Sequence, residues 1–370
     1  MQTILLTDRD MALRERALLR RLQIGLADEG VDVIHVAPAS AVARVPQGMF
    51  ARLVPYDDRP SLFRSVSQAM LAEQIRPMVH DEAKLIVHVF GLELLPVGFF
   101  LAEHFNCAIA IEVNSAAFVQ RVAASHATVM STDSVALLTP DPALQRRLIA
   151  RLASSRKPDI ASRCVPWGVL CPSEIHPIFQ EQRTPTLLVG GSGQQRQAYV
   201  ALIEACAAVA ADGADFLVLI DADAAGHASV GPVIARLGLT DRVSQVPNID
   251  ADRLPALQAD ALIVPEAVGE HRSIMLDAMA SGVLVLAHED PLVGMLRDGQ
   301  TSLCVRHDST NAWRILLAEI LANPERARAT ARSAREYVAQ EHKASTHTAG
   351  VLDTYEWLTS SGSLKMDTSA

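Results

Sequence analysis

The sequence predicts an α/β protein with two domains, each built on a doubly wound parallel sheet. Short apolar runs of strand length alternate with segments of helical periodicity along most of the chain. The strand candidates are continuous apolar runs rich in Val and Ile, which is typical of strands buried on both faces. The 370 residues are about two domains' worth at roughly 150 residues per domain.

Composition narrows the function classes. The chain has 42 Asp and Glu against 33 Lys and Arg, a formal net charge of −9, which argues against nucleic acid as a partner. The five cysteines are scattered without a CxxC pair, as expected for buried thiols in a reducing compartment. The apolar run at residues 3–7 is too short for a signal peptide, and no stretch approaches the ~20 residues of a membrane span. We therefore expect a cytoplasmic protein.

The first half contains about six strand candidates. They lie at residues 3–7, 31–38, 51–56, 84–91, 107–113 and 134–139, with helices expected at 11–29 and 61–74 between them. Residues 166–185 then carry a density of Pro and Gly that opposes both helix and strand. We interpret this stretch as an interdomain linker.

A second alternating series follows the linker. Its strand candidates lie at 186–191, 216–221, 242–247, 261–266 and 283–288, and its helices at 198–211, 230–238, 273–281, 311–321, 324–341 and 348–357. The predicted division is a Rossmann-like domain at 1–165, the linker at 166–185, a second Rossmann-like domain at 186–345, a helix returning to the first domain at 346–359 and a disordered tail at 360–370. Two such domains are expected to face a central cleft, where the carboxyl ends of both sheets bind ligands.

The segment 265–287 is the richest in functional groups. A strand ends at Pro265, and a polar loop leads to a helix for which Ser273 is a good N-cap. Amides at the start of that helix suit a phosphate, and Arg272 can add a bidentate contact. Asp277, one turn into the helix, is placed to bind sugar hydroxyls. The alternative is that Ser273 and Asp277 only cap and charge the helix.

This segment resembles the donor signature of retaining glycosyltransferases of family 4, which have the two-domain GT-B fold. Asp277 stands at the second of that family's two glutamates, directly before the Ala-Met-Ala-Ser-Gly at 278–282. Further similar stretches occur in the family's order at 86–114, 164–169, 187–196, 237–249, 259–265 and 297–305. The resemblance covers roughly residues 1–358.

The resemblance implies transfer of a sugar from a nucleotide-diphosphate donor with retention at the anomeric carbon, without a cofactor or metal. The implied catalytic residues, which orient the donor hydroxyls or contact the reacting sugar, are Glu270, Asp277, Asn114 and His88. The implied donor and phosphate residues are Gly190, Gly191, Arg196, His271, Arg272, Ser273 and Ile274. Backbone groups near Val246 and Pro247 are expected to lie beside the base.

Several positions depart from the family pattern. Gly269 holds the place of the first glutamate, with Glu270 one residue later, and Gly191 replaces a phosphate-binding Arg. Arg196 stands for a Lys, and the segment 8–16 replaces a Gly-rich acceptor loop. One alternative is therefore a catalytically impaired nucleotide-sugar-binding relative, acting as a sensor or partner subunit. A nucleotide-sugar 2-epimerase is a second alternative.

Three features have two interpretations each. His88 on an apolar strand is either a catalytic group or a core histidine. Trp167 either stacks on a ligand or shapes the hinge. The arginines of the first helix form either a weak peripheral contact with anionic lipid or, with acidic neighbours, a solvated face. The acceptor (glycan, lipid, small molecule or protein), the base, the sugar and the oligomeric state do not follow from the sequence.

Overall fold

The computed structural model describes residues 1–42, 50–57, 64–124, 134–155, 160–175, 177–247, 249, 258–306 and 309–361. Over these ranges the chain forms two compact units. The first unit contains Met1–Gly168 and the C-terminal helix from Ala344, and the second contains Val169–Lys343. Each unit is built on one parallel sheet, which confirms the predicted fold class.

In its described part, the first unit has a seven-stranded sheet. The strands are β1 (Gln2–Thr7), β2 (Asp32–Pro38), β3 (Arg52–Tyr56), β4 (Leu85–Phe90), β5 (Ala108–Glu112), β6 (Val135–Thr139) and β7 (Ala161–Cys164). The helices are α1 (Arg9–Arg14), α2 (Arg16–Asp28), α3 (Ala39–Val42), α4 (Arg64–Ile75), α5 (Leu95–His104), α6 (Ala116–Ala124) and α7 (Pro142–Ser154), with short 3-10 turns at Arg76–Met78 and Leu92–Leu94. The strand order is β3-β2-β1-β4-β5-β6-β7. Every residue of β1 and β4 is buried, as expected for strands covered by helices on both faces.

In the described residues of the second unit, the sheet has six strands. These are β8 (Thr186–Val189), β9 (Leu217–Asp221), β10 (Val243–Val246), β11 (Ala261–Val264), β12 (Leu284–His288) and β13 (Leu303–Val305), in the order β10-β9-β8-β11-β12-β13. The helices are α8 (Arg196–Ala211), α9 (Ala222–Ala228), α10 (Gly231–Arg236), α11 (Ser273–Ala280), α12 (Thr310–Ala322) and α13 (Glu325–Glu341). The C-terminal helix, α14 (Ala344–Ser361), belongs to the first unit.

Each sheet has one switch point, where the direction of strand addition reverses. It lies between β1 and β4 in the first unit and between β8 and β11 in the second. A backbone hydrogen bond joins the two strand ends in both cases: Asp8 N donates to Phe90 O at 3.0 Å, and Gly190 N donates to Ile263 O at 3.0 Å. Loops diverge at such a point and leave a crevice at the carboxyl edge, where doubly wound proteins bind ligands.

The structure corrects several element boundaries. Strands β7 and β13 were not predicted, because four half-buried residues and three residues respectively are too short for a periodicity signal. The single helix expected at 11–29 is two helices that break at Glu15. Positions 61–63 of the expected helix 61–74 and most of the predicted tail 360–370 lie outside the described residues.

The predicted linker is shorter in the structure. From Val169 onward it belongs to the second unit, where Ile178 and Phe179 are part of the hydrophobic core. The side chain of Arg328 on α13 holds this segment by donating to the Phe179 carbonyl at 2.6 Å. Helix α14 packs on α2 and β5 of the first unit.

Candidate functional site

The switch point of the second unit brings together two loops. The β8 loop (residues 190–195) leads into α8, and the β11 loop (residues 265–272) leads into α11. The side-chain amide of Gln195 joins them, because it donates to Ala267 O and accepts from Ala267 N, both at 3.1 Å. The predicted donor and phosphate residues therefore lie on adjacent loops.

Glu266 is the central group of these loops, and the sequence analysis missed it. Its carboxylate is almost fully buried, with 4% of the residue exposed. One oxygen accepts from Ser192 N and lies 3.4 Å from the Tyr199 hydroxyl, and the other accepts from Gln195 N at 3.3 Å. Its position directly after Pro265, at the end of a buried strand on the switch point, was the available signal.

The remaining amides of the β8 loop also face internal acceptors. Gly193 N donates to the Tyr199 hydroxyl at 3.2 Å, and Gln194 N donates to Ser192 Oγ at 3.3 Å. Burial, reinforced by the charge of Glu266, raises the pKa of Tyr199, so its hydroxyl keeps its proton and donates to Gly190 O at 2.9 Å. The amides of Gly190 and of residues 192–195 therefore all donate to acceptors within the second unit.

The N-terminus of α11 is the second part of the site. Arg272 is the N-cap residue and Ser273 is the first helical residue, which corrects the prediction of a Ser273 cap. Every residue of α11 is buried, because its apolar side chains pack on all sides. Arg272 and Ile274 are 5% exposed. The aligned peptide dipoles make this helix start favourable for an anion.

Three charged groups surround that helix start. The Arg272 guanidinium lies 3.2 Å from Glu270 Oε1, and Asp277 is buried one turn into α11. Arg272 also opposes the rise in the pKa of Tyr199, which places its charge near the β8 loop. The helix start thus combines a buried cation paired with one carboxylate, a second carboxylate one turn into the helix, and the helix dipole.

The β11 loop is braced from the segment that follows β12. Asp290 accepts from Gly269 N at 2.6 Å and from Leu292 N at 3.0 Å. The His271 ring, through Nε2, lies 2.9 Å from Leu292 O, so this nitrogen carries the proton. His271 and the amide of Gly269 therefore have a bracing role in this structure.

The other predicted donor residues lie at the edge of this region. Arg196 is the first residue of α8 and is exposed, and it makes no ion pair with the residues the structure describes. Val246 ends β10, two strands away from β8, and is half-buried, whereas Pro247 is exposed. The segment after β10 is held by Asp221, which accepts from Ile249 N at 3.3 Å.

Burial removes His88 from the candidates for direct contact with a sugar. The residue has no exposed surface, and its Nδ1 lies 2.8 Å from the Tyr355 hydroxyl of α14. Its Nε2 is 3.5 Å from the Glu112 carboxylate, which also accepts from the Trp167 indole at 2.5 Å. His88 and Trp167 thus belong to a buried polar cluster that ties α14 to the sheet.

The carboxyl edge of the first sheet carries an acidic residue at the switch point and Asn114 after the next strand, β5. Asn114 follows β5, is half-buried, and its Nδ2 lies 3.7 Å from the Met11 sulfur. Asp8 follows β1 and accepts from Met11 N at 2.9 Å. Burial raises the pKa of Asp8 to about 7, and the carboxylates of Asp10 and Glu93 add to the shift. The sequence analysis did not select Asp8, although it begins the segment that replaces the Gly-rich loop.

Two further findings concern only the described part of the chain. It contains no group of three or more His, Cys, Asp or Glu side chains arranged to hold a metal ion. None of its helices combines the length and the apolar character that a bilayer span requires.

The two doubly wound sheets, with a charged helix start at one switch point, define a protein of the GT-B fold class. A sucrose-phosphate synthase from Thermosynechococcus elongatus has a similar structure, with a TM-score of 0.72 and 18% identity over 97% of this chain and 99% of that chain. HepE from Anabaena in complex with UDP-glucose gives a TM-score of 0.72 and 12% identity over 96% and 99%. At these identities the likeness shows the fold.

Sequence comparison gives a more limited result. No family model matches the chain. A D-inositol 3-phosphate glycosyltransferase of Nocardia farcinica (strain IFM 10152) is 34% identical over 125 residues. That match spans 33% of this chain and 27% of that protein, so the chain matches about a quarter of the relative's length.

Proposed function

We propose that the protein is a glycosyltransferase that moves a sugar from a nucleotide-diphosphate donor to an acceptor, with retention of anomeric configuration, as in family 4. The observation that carries the proposal is the start of α11, where the buried Arg272 guanidinium pairs with Glu270 at the positive end of the helix and Asp277 is buried one turn further on. The fold, the partial match to a glycosyltransferase and the UDP-glucose in the HepE structure support it.

In the proposed reaction, the bond between the anomeric carbon and the diphosphate breaks and an acceptor oxygen takes its place. The acceptor's proton leaves with the nucleoside diphosphate. Negative charge therefore develops on the departing phosphate, and Arg272 with the α11 dipole stabilises it in a buried site. Arg196 adds a second, exposed cation. Because protein cations supply this charge, we propose that no metal is required.

The carboxylates have a different role in this scheme. Asp277 and Glu270 accept hydrogen bonds from donor hydroxyls, and the ion pair with Arg272 orients Glu270. Asn114 stays the proposed polar contact to the reacting sugar, because it is half-buried whereas His88 has no exposed surface. The acceptor chemistry stays open among a glycan, a lipid, a small molecule and a protein.

A specific observation favours the second candidate, a catalytically impaired relative that binds nucleotide sugars as a sensor or partner subunit. The place of the first family glutamate is Gly269, whose amide is bound by Asp290, and the β8 loop has given most of its amides to internal acceptors. Both candidates bind the donor, and they differ in turnover.

A melting screen with UDP, GDP, ADP and dTDP and their sugars tests both candidates. We expect at least one diphosphate to raise the melting temperature, since a ligand at 100 times its Kd stabilises by about 2.7 kcal/mol. If no compound shifts the transition at millimolar concentration, both candidates are wrong. If a donor binds, slow hydrolysis of that donor to free sugar indicates a glycosyltransferase. If the bound donor stays intact with every acceptor tested, the result indicates the catalytically impaired relative.

A further inference from the structure

The carboxylate of Glu266 occupies the place in the second unit where an external anion is expected. It lies at the switch point between β8 and β11. Both of its oxygens accept from backbone amides, those of Ser192 and Gln195, at the start of the 16-residue helix α8. Backbone amides at a loop-to-helix junction on a switch point form a phosphate-binding arrangement in doubly wound folds.

Gly191 and Glu266 fit each other closely. A Cβ atom at position 191 would lie 2.6 Å from Glu266 Oε1 and would overlap the Tyr199 hydroxyl. The backbone at Gly191 also has a φ of 114°, which side chains rarely adopt. The absence of a side chain at 191 therefore leaves the room that the carboxylate fills.

We infer that Glu266 is an internal substitute for a phosphate, and that it sets the affinity of the donor site for diphosphates. The inference rests on the proposed use of a nucleotide-sugar donor. With the β8 loop occupied, a bound diphosphate is held from the α11 side, by Arg272 and the helix start. The Glu266 charge repels that diphosphate, so the donor and the nucleoside diphosphate product both bind weakly.

A simple structural brace predicts a different outcome from a charged substitute. Gln at position 266 keeps an oxygen that accepts from the loop amides and removes the charge, whereas Ser removes the charge and exposes the amides to a ligand. If Glu266 only braces the loops, the affinity of the protein for a diphosphate falls or stays the same in both variants. If Glu266 is a substitute for phosphate, the affinity rises in both variants, and it rises only for ligands that carry phosphates.

The experiment measures the Kd of the diphosphate that gives the largest melting shift, and of its parent nucleoside, by calorimetry. The proteins are the wild type, Glu266→Gln, Glu266→Ser and the control Glu336→Gln. Glu336 is exposed on α13, so this control removes the same charge outside the site. We expect both Glu266 variants to bind the diphosphate roughly tenfold more tightly or better, with the nucleoside unchanged, and the gain to shrink at high salt.

The outcomes separate this inference from the proposed function. Diphosphate affinity that is equal or lower in both Glu266 variants, with the wild type still binding, overturns the role of Glu266 and leaves the donor site standing. Tight binding by both Glu266 variants, with no binding by the wild type, supports that role while contradicting donor use by the wild type. Absence of binding in every protein contradicts both. A melting curve of each variant without ligand shows whether it is folded. If one Glu266 variant does not fold, the diphosphate affinity of the other still tests the role of Glu266.

Discussion

Each switch point carries an acidic residue, but on different strands of the central pair: Asp8 follows β1, the first strand of its pair in the chain, whereas Glu266 follows β11, the second strand of its pair. Their surroundings also differ. The two backbone amides that donate to Glu266 come from the loop after the neighbouring strand β8. Asp8 instead has local amide donors at Met11 and Asp10, and the carboxylates of Asp10 and Glu93 lie nearby. Its pKa is raised to about 7, mainly by burial. An acidic residue at a switch point is thus a group that exchanges a proton near neutral pH in one unit, and a carboxylate held by the amides of the neighbouring loop in the other.

The largest expected effect is the loss of stability when a glycine next to one of these carboxylates is replaced. A Cβ atom at Gly91 would overlap the Cγ and carboxylate of Asp8, and at Gly191 it would overlap the flexible ends of Glu266 and Tyr199. We therefore expect Gly91→Ala to lower the free energy of unfolding by about 4 kcal/mol and Gly191→Ala by about 2 kcal/mol, measured by urea denaturation.

Gly226→Ala is the matched control for both glycines. Gly226 lies in α9, and a Cβ atom there meets no atom within 4 Å, so the change is expected to be neutral or slightly stabilising. A cost below about 1 kcal/mol at both Gly91 and Gly191 would contradict the close packing described for the two switch points.

The second prediction concerns the switch point of the second unit, where the phosphate site is proposed. Arg272→Ala is expected to weaken binding of the selected nucleoside diphosphate by roughly ten- to hundredfold, because it removes a buried charge-assisted contact. The control Arg332→Ala removes an exposed cation of α13 and is expected to leave the Kd unchanged. Equal affinity of the wild type and Arg272→Ala in calorimetry would remove Arg272 from the site.

The smallest expected effect is the pH dependence at Asp8. Its folded-state pKa of about 7 exceeds the ordinary value of 3.8, so the folded protein binds more protons than the unfolded chain between these values. This contribution to stability therefore falls as pH rises from about 4 to 7. Asp8→Asn keeps a good N-cap and removes the titration. We expect its stability relative to the wild type to rise by about 1–2 kcal/mol between pH 4 and pH 8.

Asp28→Asn is the control, since Asp28 is an exposed carboxylate at the end of α2. Its stability relative to the wild type should stay constant over the same range. Urea denaturation at four pH values measures both differences. A flat profile for Asp8→Asn would show that Asp8 titrates as an ordinary surface carboxylate.

Much of the fold could be predicted because the buried strands are continuous apolar runs and the helices carry apolar residues at helical spacing. The runs at 84–91 and 261–266, for example, contain β4 and β11. The short strand β13 was missed, because three residues carry no periodicity. The break at Glu15 was also missed, because the apolar spacing continues through it.

The candidate site was predicted only in part. Arg272 and Asp277 could be selected because they flank a helix start after a strand, which is a local pattern, and the structure places both at that helix start. Their contact with a ligand stays a prediction. His88 was ambiguous, because its burial depends on Tyr355, 267 residues later in the chain. The roles of Asn114 and Arg196 in binding the donor remain predictions.

The sequence by itself determined that two parallel sheets form and that a charged helix start follows β11, because hydrophobic period and helix caps are properties of neighbouring residues. Only the tertiary structure decided that Glu266 fills the β8 loop beside Gly191, and that Asp8 stands over Gly91. Those contacts join strands that are distant in the chain and adjacent in the sheet. The order of strands, and not the order of residues, determines which groups meet at a switch point.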